Sequence, residues 1–276
     1  MYNLYCGDCL NVMQDMEDNS VDAIITDPPY MTTDIDFDKK GFNKDRFMEL
    51  CIDKLKPNGQ MVCTGSLELL AYFAKTFNVR WTGVWIKPSG VMRSHSAKKP
   101  KSRSELYAVF AHPNHKIKDL VFNQVILPGE LYSKTQRYKG KARNTNDQIT
   151  RISSSAFTID GYKSVNEGIR RQTDVIEAPN KPCMKYTERN IHPTQKPVKL
   201  MSTFIQWTTN EGDLVLDPFM GSGSTGVACK ELKRNFTGIE LNPEFFEIAE
   251  KRIQHIDSST PELIRLLEKA SNIELD

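Results

Sequence analysis

Two hydrophobic patterns, one typical of strands and one typical of helices, alternate along the first 112 residues. Short apolar runs rich in β-branched residues predict strands, namely "NLYCGDCL", which ends at Gly7-Asp8, "VDAIIT", "QMVCTGS", "VRWTGVWIK" and "SELYAVFAH". Between them, apolar residues recur at helical spacing in "NKDRFMELCIDKLKPNG", which stops at Pro57-Asn58-Gly59, and in "LELLAYFAKTF". Strands that alternate with helices favour an α/β fold with a mostly parallel sheet covered by helices.

The periodicity is lost between about residues 113 and 190, which are polar and basic with interleaved aromatic residues. It resumes in "HPTQKPVKLMSTFIQWTTN", a predicted helix with Pro197 at its first position. A strand, a glycine loop, a helix, a strand and a helix follow. We therefore expect one core built from residues 1–112 and 191–276, interrupted by an insert at 113–190.

Composition places the chain among ordinary globular proteins, since 39% of its 276 residues are hydrophobic and 26% are charged. No apolar stretch reaches the roughly 18 residues of a membrane span, and the N-terminus lacks a secretion signal, so we expect a cytoplasmic protein. Of the six cysteines, only Cys6 and Cys9 have C-x-x-C spacing, and no second pair completes a zinc site. We therefore expect reduced thiols and no metal.

Charge is unevenly distributed along the chain, although the net charge is only +2. The segment 87–189 has 20 Lys and Arg against 9 Asp and Glu, whereas the remainder has 17 against 26. A basic third in an otherwise acidic chain indicates a polyanionic partner that is bound by one part of the molecule.

A glycine loop follows the apolar strand "DLVLD" and opens the next helix. Gly221, Gly223 and Gly226 match G-x-G-x-x-G, and the following strand ends at Glu240, 17 residues beyond Gly223. Such a loop allows a ligand to approach the backbone closely, and the carboxylate can accept the hydroxyls of a ribose. The pattern predicts a cofactor that contains a nucleoside.

The residues before the glycines discriminate between two such cofactors. NAD would place a pyrophosphate at the helix N-terminus, where Asp217 would repel it. S-adenosylmethionine has a ribose but no phosphate, and an acid there can attract its ammonium or sulfonium. Asp217 therefore favours S-adenosylmethionine.

The position of this loop late in the chain predicts a circular permutation. Only 36 residues follow Glu240, and they are helical in pattern, so the remaining strands of the sheet must come from the N-terminal third. The strands before Asp8 and Asp27 would then lie beside the C-terminal ones. Since ligands bind at the carboxyl ends of such strands, these acids and the glycine loop would surround one crevice.

The corner "DPPY", Asp27 to Tyr30, suits an exocyclic amino group. Pro28 and Pro29 fix the backbone and remove two donors, so the corner presents only acceptors. Asp27 and the Pro28 carbonyl could draw both amino hydrogens out of plane and favour a tetrahedral, nucleophilic nitrogen. Tyr30 offers a face on which an extruded base can stack.

The order of these motifs resembles the circularly permuted β group of DNA amino-methyltransferases, which modify adenine-N6 or cytosine-N4. In that family a D/S/N-P-P-Y motif comes first, a target-recognition region follows, and F-x-G-x-G comes last. Here "DPPY" precedes "FMGSG" at 219–223, and "CGDCL", "HPTQKP" and "GIELNPEFFEIAEKRI" extend the resemblance. The resemblance implies a Rossmann-like, S-adenosylmethionine-dependent methyltransferase sheet with an inserted target-recognition region. It covers roughly residues 1–110 and 190–255.

The resemblance also assigns roles to individual residues. It implies that Asp27, Pro28, Pro29 and Tyr30 are catalytic, with Asp27 also at the cofactor. Asp8 would meet the cofactor's adenine and Glu240 its ribose. Residues expected around the methionine end of the cofactor are Lys196, Asp217, Phe219, Gly221, Gly223, Ser224 and Thr225. Asp rather than Ser at position 27 resembles the adenine-N6 members, so we expect base flipping and adenine-N6 methylation, as in restriction–modification systems.

Two dense basic spots in the middle region are predicted to bind DNA phosphates. Their members are Arg93, Lys98, Lys99, Lys101 and Arg103, followed by Lys134, Arg137, Lys139, Lys141 and Arg143.

Other interpretations stay open from the sequence. Cytosine-N4 methylation uses the same scaffold, and an RNA amino-methyltransferase would share its chemical motifs. The glycine loop alone would also fit an NAD-dependent oxidoreductase, and a catalytically idle DNA-binding protein is a further reading. Relatives are often homodimers, but the chain has no interface signature.

Overall fold

The sheet combines strands near both ends of the chain with strands from residues 55–111 and 175–177. The computed structural model describes residues 1–29, 42–91, 102–128, 169–180 and 195–255. Its strands are β1 (Tyr2–Cys6), β2 (Val21–Thr26), β3 (Leu55–Gly65), β4 (Asn78–Val91), β5 (Ser102–Ala111), β6 (Ile126–Pro128), β7 (Ile169–Arg171), β8 (Val175–Glu177), β9 (Leu214–Asp217) and β10 (Asn235–Glu240). Its helices are α1 (Cys9–Gln14), α2 (Lys44–Lys54), α3 (Leu67–Phe73), α4 (Val198–Thr208), α5 (Ser224–Glu231) and α6 (Pro243–His255). Within these ranges, no helix combines the length and apolarity that crossing a bilayer requires.

Eight strands form one mixed sheet in the order β1-β10-β9-β2-β3-β5-β4-β8. The five strands from β1 to β3 in this order are parallel, β5 is antiparallel to both of its neighbours, and β8 is parallel to β4. The N-terminal β1 and β2 therefore flank the C-terminal β10 and β9. This arrangement confirms the predicted α/β fold and the permuted order of its strands.

Apolar side chains fill both faces of the sheet. On one face, helices α4, α5 and α6 pack through residues such as Phe204, Val227 and Ile253. On the other face, α1, α2 and α3 pack through residues such as Met13 and Phe47. Because both faces are covered at the centre of the sheet, the central strands β2 and β9 are largely buried, at Val21 and residues 23–26 in β2 and at residues 215–217 in β9.

Two predicted element boundaries were wrong by a few residues. Helix α2 ends at Lys54 and β3 already begins at Leu55, before the Pro57-Asn58-Gly59 turn. Leu55 pairs with Val21 but Gln60 pairs with Ala23, so the turn lies inside an irregular stretch of the β2–β3 ladder. Pro197 is the N-cap of α4 rather than its first residue.

The chain forms two compact units. One consists of residues 1–125 and 172–276, and the other consists of residues 126–171. In the smaller unit, β6 and β7 form an antiparallel pair. Strand β8 lies within the predicted insert 113–190, yet it belongs to the large sheet. The predicted insert boundaries themselves stay a prediction.

Hydrogen bonds and close packing hold the segment around β8 against β4 and β5. The Tyr107 hydroxyl donates to the Asp174 carbonyl at 2.7 Å, and the Trp85 indole donates to the Ala178 carbonyl at 2.8 Å. Gly83 allows this approach, because a Cβ there would lie 2.2 Å from the Asp174 oxygen and 2.3 Å from the Tyr107 hydroxyl.

We expect Gly83→Ala to lower the free energy of unfolding by about 2 kcal/mol or more, because the added methyl group has no space and the backbone must shift. Urea denaturation measures this. Gly7→Ala is the matched control, since its Cβ would meet nothing closer than Val12 at 3.8 Å. Equal denaturation midpoints for the two variants would contradict the close packing at Gly83.

Candidate active site

Four carboxylates lie at the carboxyl ends of adjacent parallel strands. Asp8 follows β1, Glu240 ends β10, Asp217 ends β9 and Asp27 follows β2. Cys6 pairs with Glu240, which brings β1 and β10 to the same edge of the sheet. The four acids come from distant parts of the sequence, and the permuted strand order makes them neighbours.

Glu240 is bound to the glycine loop through its carboxylate. Its Oε2 accepts the Gly221 amide at 2.9 Å and its Oε1 accepts the Asn242 amide at 2.8 Å. Burial raises the pKa of Glu240 above its usual value, although these amide bonds oppose the rise. The carboxylate is thus fixed beside the loop at the tip of β10.

The glycines of the loop are needed for two reasons, their backbone angles and their close packing against α6. Gly221 and Gly223 have φ angles of 51° and 78°, which other residues rarely adopt. A Cβ on Gly223 would also lie 2.9 Å from Ala249 of α6, and one on Gly226 would lie 2.4 Å from Ile253. The second and third glycines are therefore required by the packing of α6, independently of any ligand.

Asp217 is buried beneath the loop. Its Oδ1 accepts the Phe219 amide at 3.1 Å, and its Oδ2 accepts the Thr225 hydroxyl at 2.5 Å. Burial raises the pKa of Asp217 to about 7, with a smaller contribution from the charge of Asp27, and the two hydrogen bonds only partly offset it.

Side chains from two other segments support the loop. The Arg252 guanidinium of α6 donates to the backbone oxygen of Ser222 and to its hydroxyl, the latter at 3.0 Å. That hydroxyl donates to Gln195 of the "HPTQKP" segment at 3.2 Å.

Two other residues of the loop pack into the protein. Ser224 is buried at the start of α5. The Phe219 ring packs against Phe47, with centroids 5.4 Å apart.

Asp27 is enclosed by polar partners. The Thr64 hydroxyl donates to Oδ1 and the Lys196 ammonium donates to Oδ2. Lys196 also pairs with Glu105 at 3.2 Å. Burial acts to lower the pKa of Lys196, but the charges of Asp27 and Glu105 outweigh it and raise the pKa above its usual value. Lys196 is therefore a cation at neutral pH.

The structure describes three further predicted site residues, Asp8, Pro28 and Pro29. Asp8 caps α1, since its Oδ1 accepts the Leu10 amide at 2.8 Å. Pro28 is buried and Pro29 half-buried directly after Asp27, while Tyr30 lies outside the described residues.

Among the predicted DNA-binding residues, the structure describes only Arg103, which is exposed on β5 and donates to the Lys87 carbonyl at 3.4 Å. The others lie outside the described residues, namely Arg93, Lys98, Lys99, Lys101, Lys134, Arg137, Lys139, Lys141 and Arg143.

Several polar residues at this edge have no motif and were not predicted. Thr64 could have been found, because it lies near the carboxyl end of a predicted parallel strand. Glu105 and Arg252 gave no such signal, since one lies within a strand and the other near the end of a helix. Only the packing of distant elements brings them to Asp27 and the glycine loop.

Comparison with known proteins identifies the same architecture in DNA-modifying enzymes. The N6/N4 methyltransferase family model, described as DNA methylase, matches residues 21–251. The type II methyltransferase M.HpaI of Haemophilus parainfluenzae is 28% identical over 271 residues, which cover 91% of this chain and 73% of that protein.

Two solved structures share the fold. The M1.HpyAVI complex with SAM (S-adenosylmethionine) has a TM-score of 0.60 and 29% identity, covering 91% of this chain and all of that one. The cytosine-N4-specific PvuII DNA methyltransferase has a TM-score of 0.61, covering 99% of this chain and 95% of that one. At 17% identity, the second similarity extends to the fold alone.

The pKa of Asp217 predicts a pH dependence of stability. The native pKa of about 7 exceeds the ordinary 3.8, so between these values the native state binds the proton more tightly than the unfolded state. The stability that Asp217 contributes is therefore fully present below about pH 4 and is lost as the pH rises through about 7. We expect the stability of the natural protein relative to Asp217→Asn to fall by about 2–4 kcal/mol across this window. Urea unfolding at several pH values measures it, and a constant difference would contradict the assignment.

Proposed function

The chain belongs to the N6/N4 DNA methylase family, and we propose that it transfers a methyl group from S-adenosylmethionine to the N6 amino group of adenine in double-stranded DNA. One observation carries the proposal: Asp27 of the "DPPY" corner lies at the same sheet edge as Glu240 and the glycine loop. The names of its relatives as type II methyltransferases support a role in DNA modification of the restriction–modification type.

The chemistry of this edge fits S-adenosylmethionine better than a dinucleotide. The Gly221 amide already donates to Glu240, so carboxylate charge lies where a pyrophosphate would be bound. A cofactor with a ribose and a positive charge meets acceptors and acids instead. We place its ribose at Glu240, its adenine at Asp8 and its methionine end beside the glycine loop and Lys196. The residues of the loop in this assignment are Asp217, Phe219, Gly221, Gly223, Ser224 and Thr225. S-adenosylmethionine supplies an electrophilic methyl group on a sulfonium.

Asp27 activates the amino group in this proposal. A carboxylate has about four acceptor positions, so Asp27 can keep Thr64 and Lys196 while it accepts a hydrogen bond from the base. The Pro28 carbonyl accepts the other amino hydrogen. The nitrogen would become tetrahedral, and its lone pair would form the bond to the methyl carbon as the carbon–sulfur bond breaks and the sulfur leaves as a neutral thioether. The cationic methylated nitrogen would then release one proton to water.

The target base must leave the duplex to reach this edge. Tyr30 would stack on the flipped base, and the basic residues of the middle region would hold the phosphates. Asp at position 27 favours adenine as the target.

We expect Asp27→Ala to reduce methyl transfer by on the order of 10³-fold or more, because the amino group loses an acceptor that acts in the transition state. Cofactor affinity should change little. Radiolabelled methyl transfer to duplex DNA measures the rate, and calorimetry measures the cofactor affinity. Asp53→Ala, on the exposed side of α2, is the matched control.

Digestion of the modified DNA to nucleosides identifies the target. N6-methyladenine supports the proposal, and N4-methylcytosine would establish the cytosine alternative. Methylation of RNA in preference to duplex DNA would overturn the proposed substrate. Full activity of Asp27→Ala would refute the role of the carboxylate.

We expect Glu240→Gln to weaken S-adenosylmethionine binding by about tenfold to a hundredfold, because charge-assisted hydrogen bonds to the ribose are worth roughly 1.5–3 kcal/mol. Calorimetric titration of the cofactor measures the change. Glu247→Gln is the control, since Glu247 contacts Lys251 on the exposed face of α6. An unchanged affinity would remove Glu240 from the cofactor site.

A further inference from the structure

We infer that Glu105 is a positioning residue for the methyl-transfer reaction, an inference that rests on the proposed function. Glu105 shares the ammonium of Lys196 with Asp27. It thereby controls how strongly that cation neutralises the catalytic carboxylate.

Four side chains form a row of alternating charge that ends at the "DPPY" corner. Lys196 pairs with Oδ2 of Asp27 and, at 3.2 Å, with Oε1 of Glu105. Oε2 of Glu105 pairs with Lys87 at 2.6 Å. The four members, which we call the charge row, are Asp27, Lys196, Glu105 and Lys87.

Strand pairing places Glu105 and Lys87, the last two members of the charge row, close together. Glu105 of β5 lies opposite Trp85 of β4 in the antiparallel register, so Lys87 is its diagonal neighbour on the same face. The Lys87 ammonium lies 4.8 Å from the Trp85 ring centroid, and the Trp85 indole is bound to Ala178. Lys87 is thus held by the Trp85 ring as well as by Glu105.

The burial of the charge row makes its balance energetically important. Its side chains are only 10–21% exposed, so water screens their charges weakly. As drawn by these contacts, the row has two cations and two carboxylates and is formally neutral. Loss of one charge therefore changes the charge balance around its neighbours in the row.

This balance bears directly on the proposed chemistry. If Lys196 paired with Asp27 alone, its positive charge would weaken the Asp27 carboxylate as a hydrogen-bond acceptor for the amino group of the base. Glu105 divides the attraction of Lys196 between two carboxylates. Asp27 then stays both oriented and strong as an acceptor.

The test begins with Glu105→Gln, which keeps the shape of the side chain and removes its charge. We expect the single-turnover rate of methyl transfer to fall by on the order of tenfold, less than for a group that touches the base. The Michaelis constant for DNA should change less than about twofold. Asp22→Asn is the matched control, because it removes a carboxylate that pairs with Lys56 at 2.6 Å near the opposite ends of the strands.

A double variant separates charge balance from simple loss of structure. In Glu105→Gln combined with Lys87→Met, Lys196 still pairs with Asp27 alone, and Lys87 acts on Lys196 only through Glu105, so we expect the rate of the Glu105→Gln single variant within about twofold. Wild-type rates in Glu105→Gln would overturn the inference. Losses that multiply in the double variant would overturn it too, because they indicate a structural role only.

A readout independent of activity distinguishes this inference from the proposed function. The ¹⁵N resonance of the Lys196 ammonium, assigned with Lys196→Met, should shift in Glu105→Gln but not in Asp22→Asn. An unshifted resonance would refute the contact. If the natural protein methylates no base although the resonance shifts, the proposed function fails and the positioning role fails with it. If the natural protein methylates DNA and Glu105→Gln does so equally well, only the positioning role fails.

Discussion

The parallel pairing of N-terminal with C-terminal strands is the constraint on which the active site depends. Because β1 pairs with β10 and β2 pairs with β9, segments about 200 residues apart in the sequence end at one edge of the sheet. Parallel strands present their carboxyl ends on the same side, so each contributes its following residue to that edge. The glycine loop and Asp27 come to the same edge of the sheet only through this pairing.

The carboxylates at this edge are partly or fully removed from water, so their negative charge must be compensated. Glu240 is stabilised by backbone amides, Asp27 by Thr64 and Lys196, and Asp217 retains its proton up to about pH 7. These are three different physical solutions to the cost of desolvating negative charge. They leave Glu240 and Asp27 as fixed acceptors at this edge, which suits a cationic methyl donor and the amino group of a base.

Several residues next to the site also stabilise the fold. The second and third glycines of the loop allow α6 to pack closely, and Arg252 of α6 returns to support the loop from Ser222. Trp85 anchors Ala178 and also contacts Lys87, at the end of the charge row. Substitutions at these positions would therefore affect stability as well as catalysis, which is why rate and affinity must be measured separately from unfolding.

The sequence by itself determined the fold class, the permuted strand order and the carboxylates at the strand ends, because hydrophobic periodicity and motif order are local properties of the chain. The resemblance placed Lys196 of "HPTQKP" near the methionine end of the cofactor, which stays a prediction, and Gln195 of the same segment contacts Ser222. Only the tertiary structure decided which groups surround Asp27. Glu105 and Lys87 belong to strands whose pattern indicates only burial. Glu105 pairs with Lys196 and with Lys87 because the strands and the segment before α4 pack together. Such contacts depend on the relative position of distant elements, which no local pattern encodes.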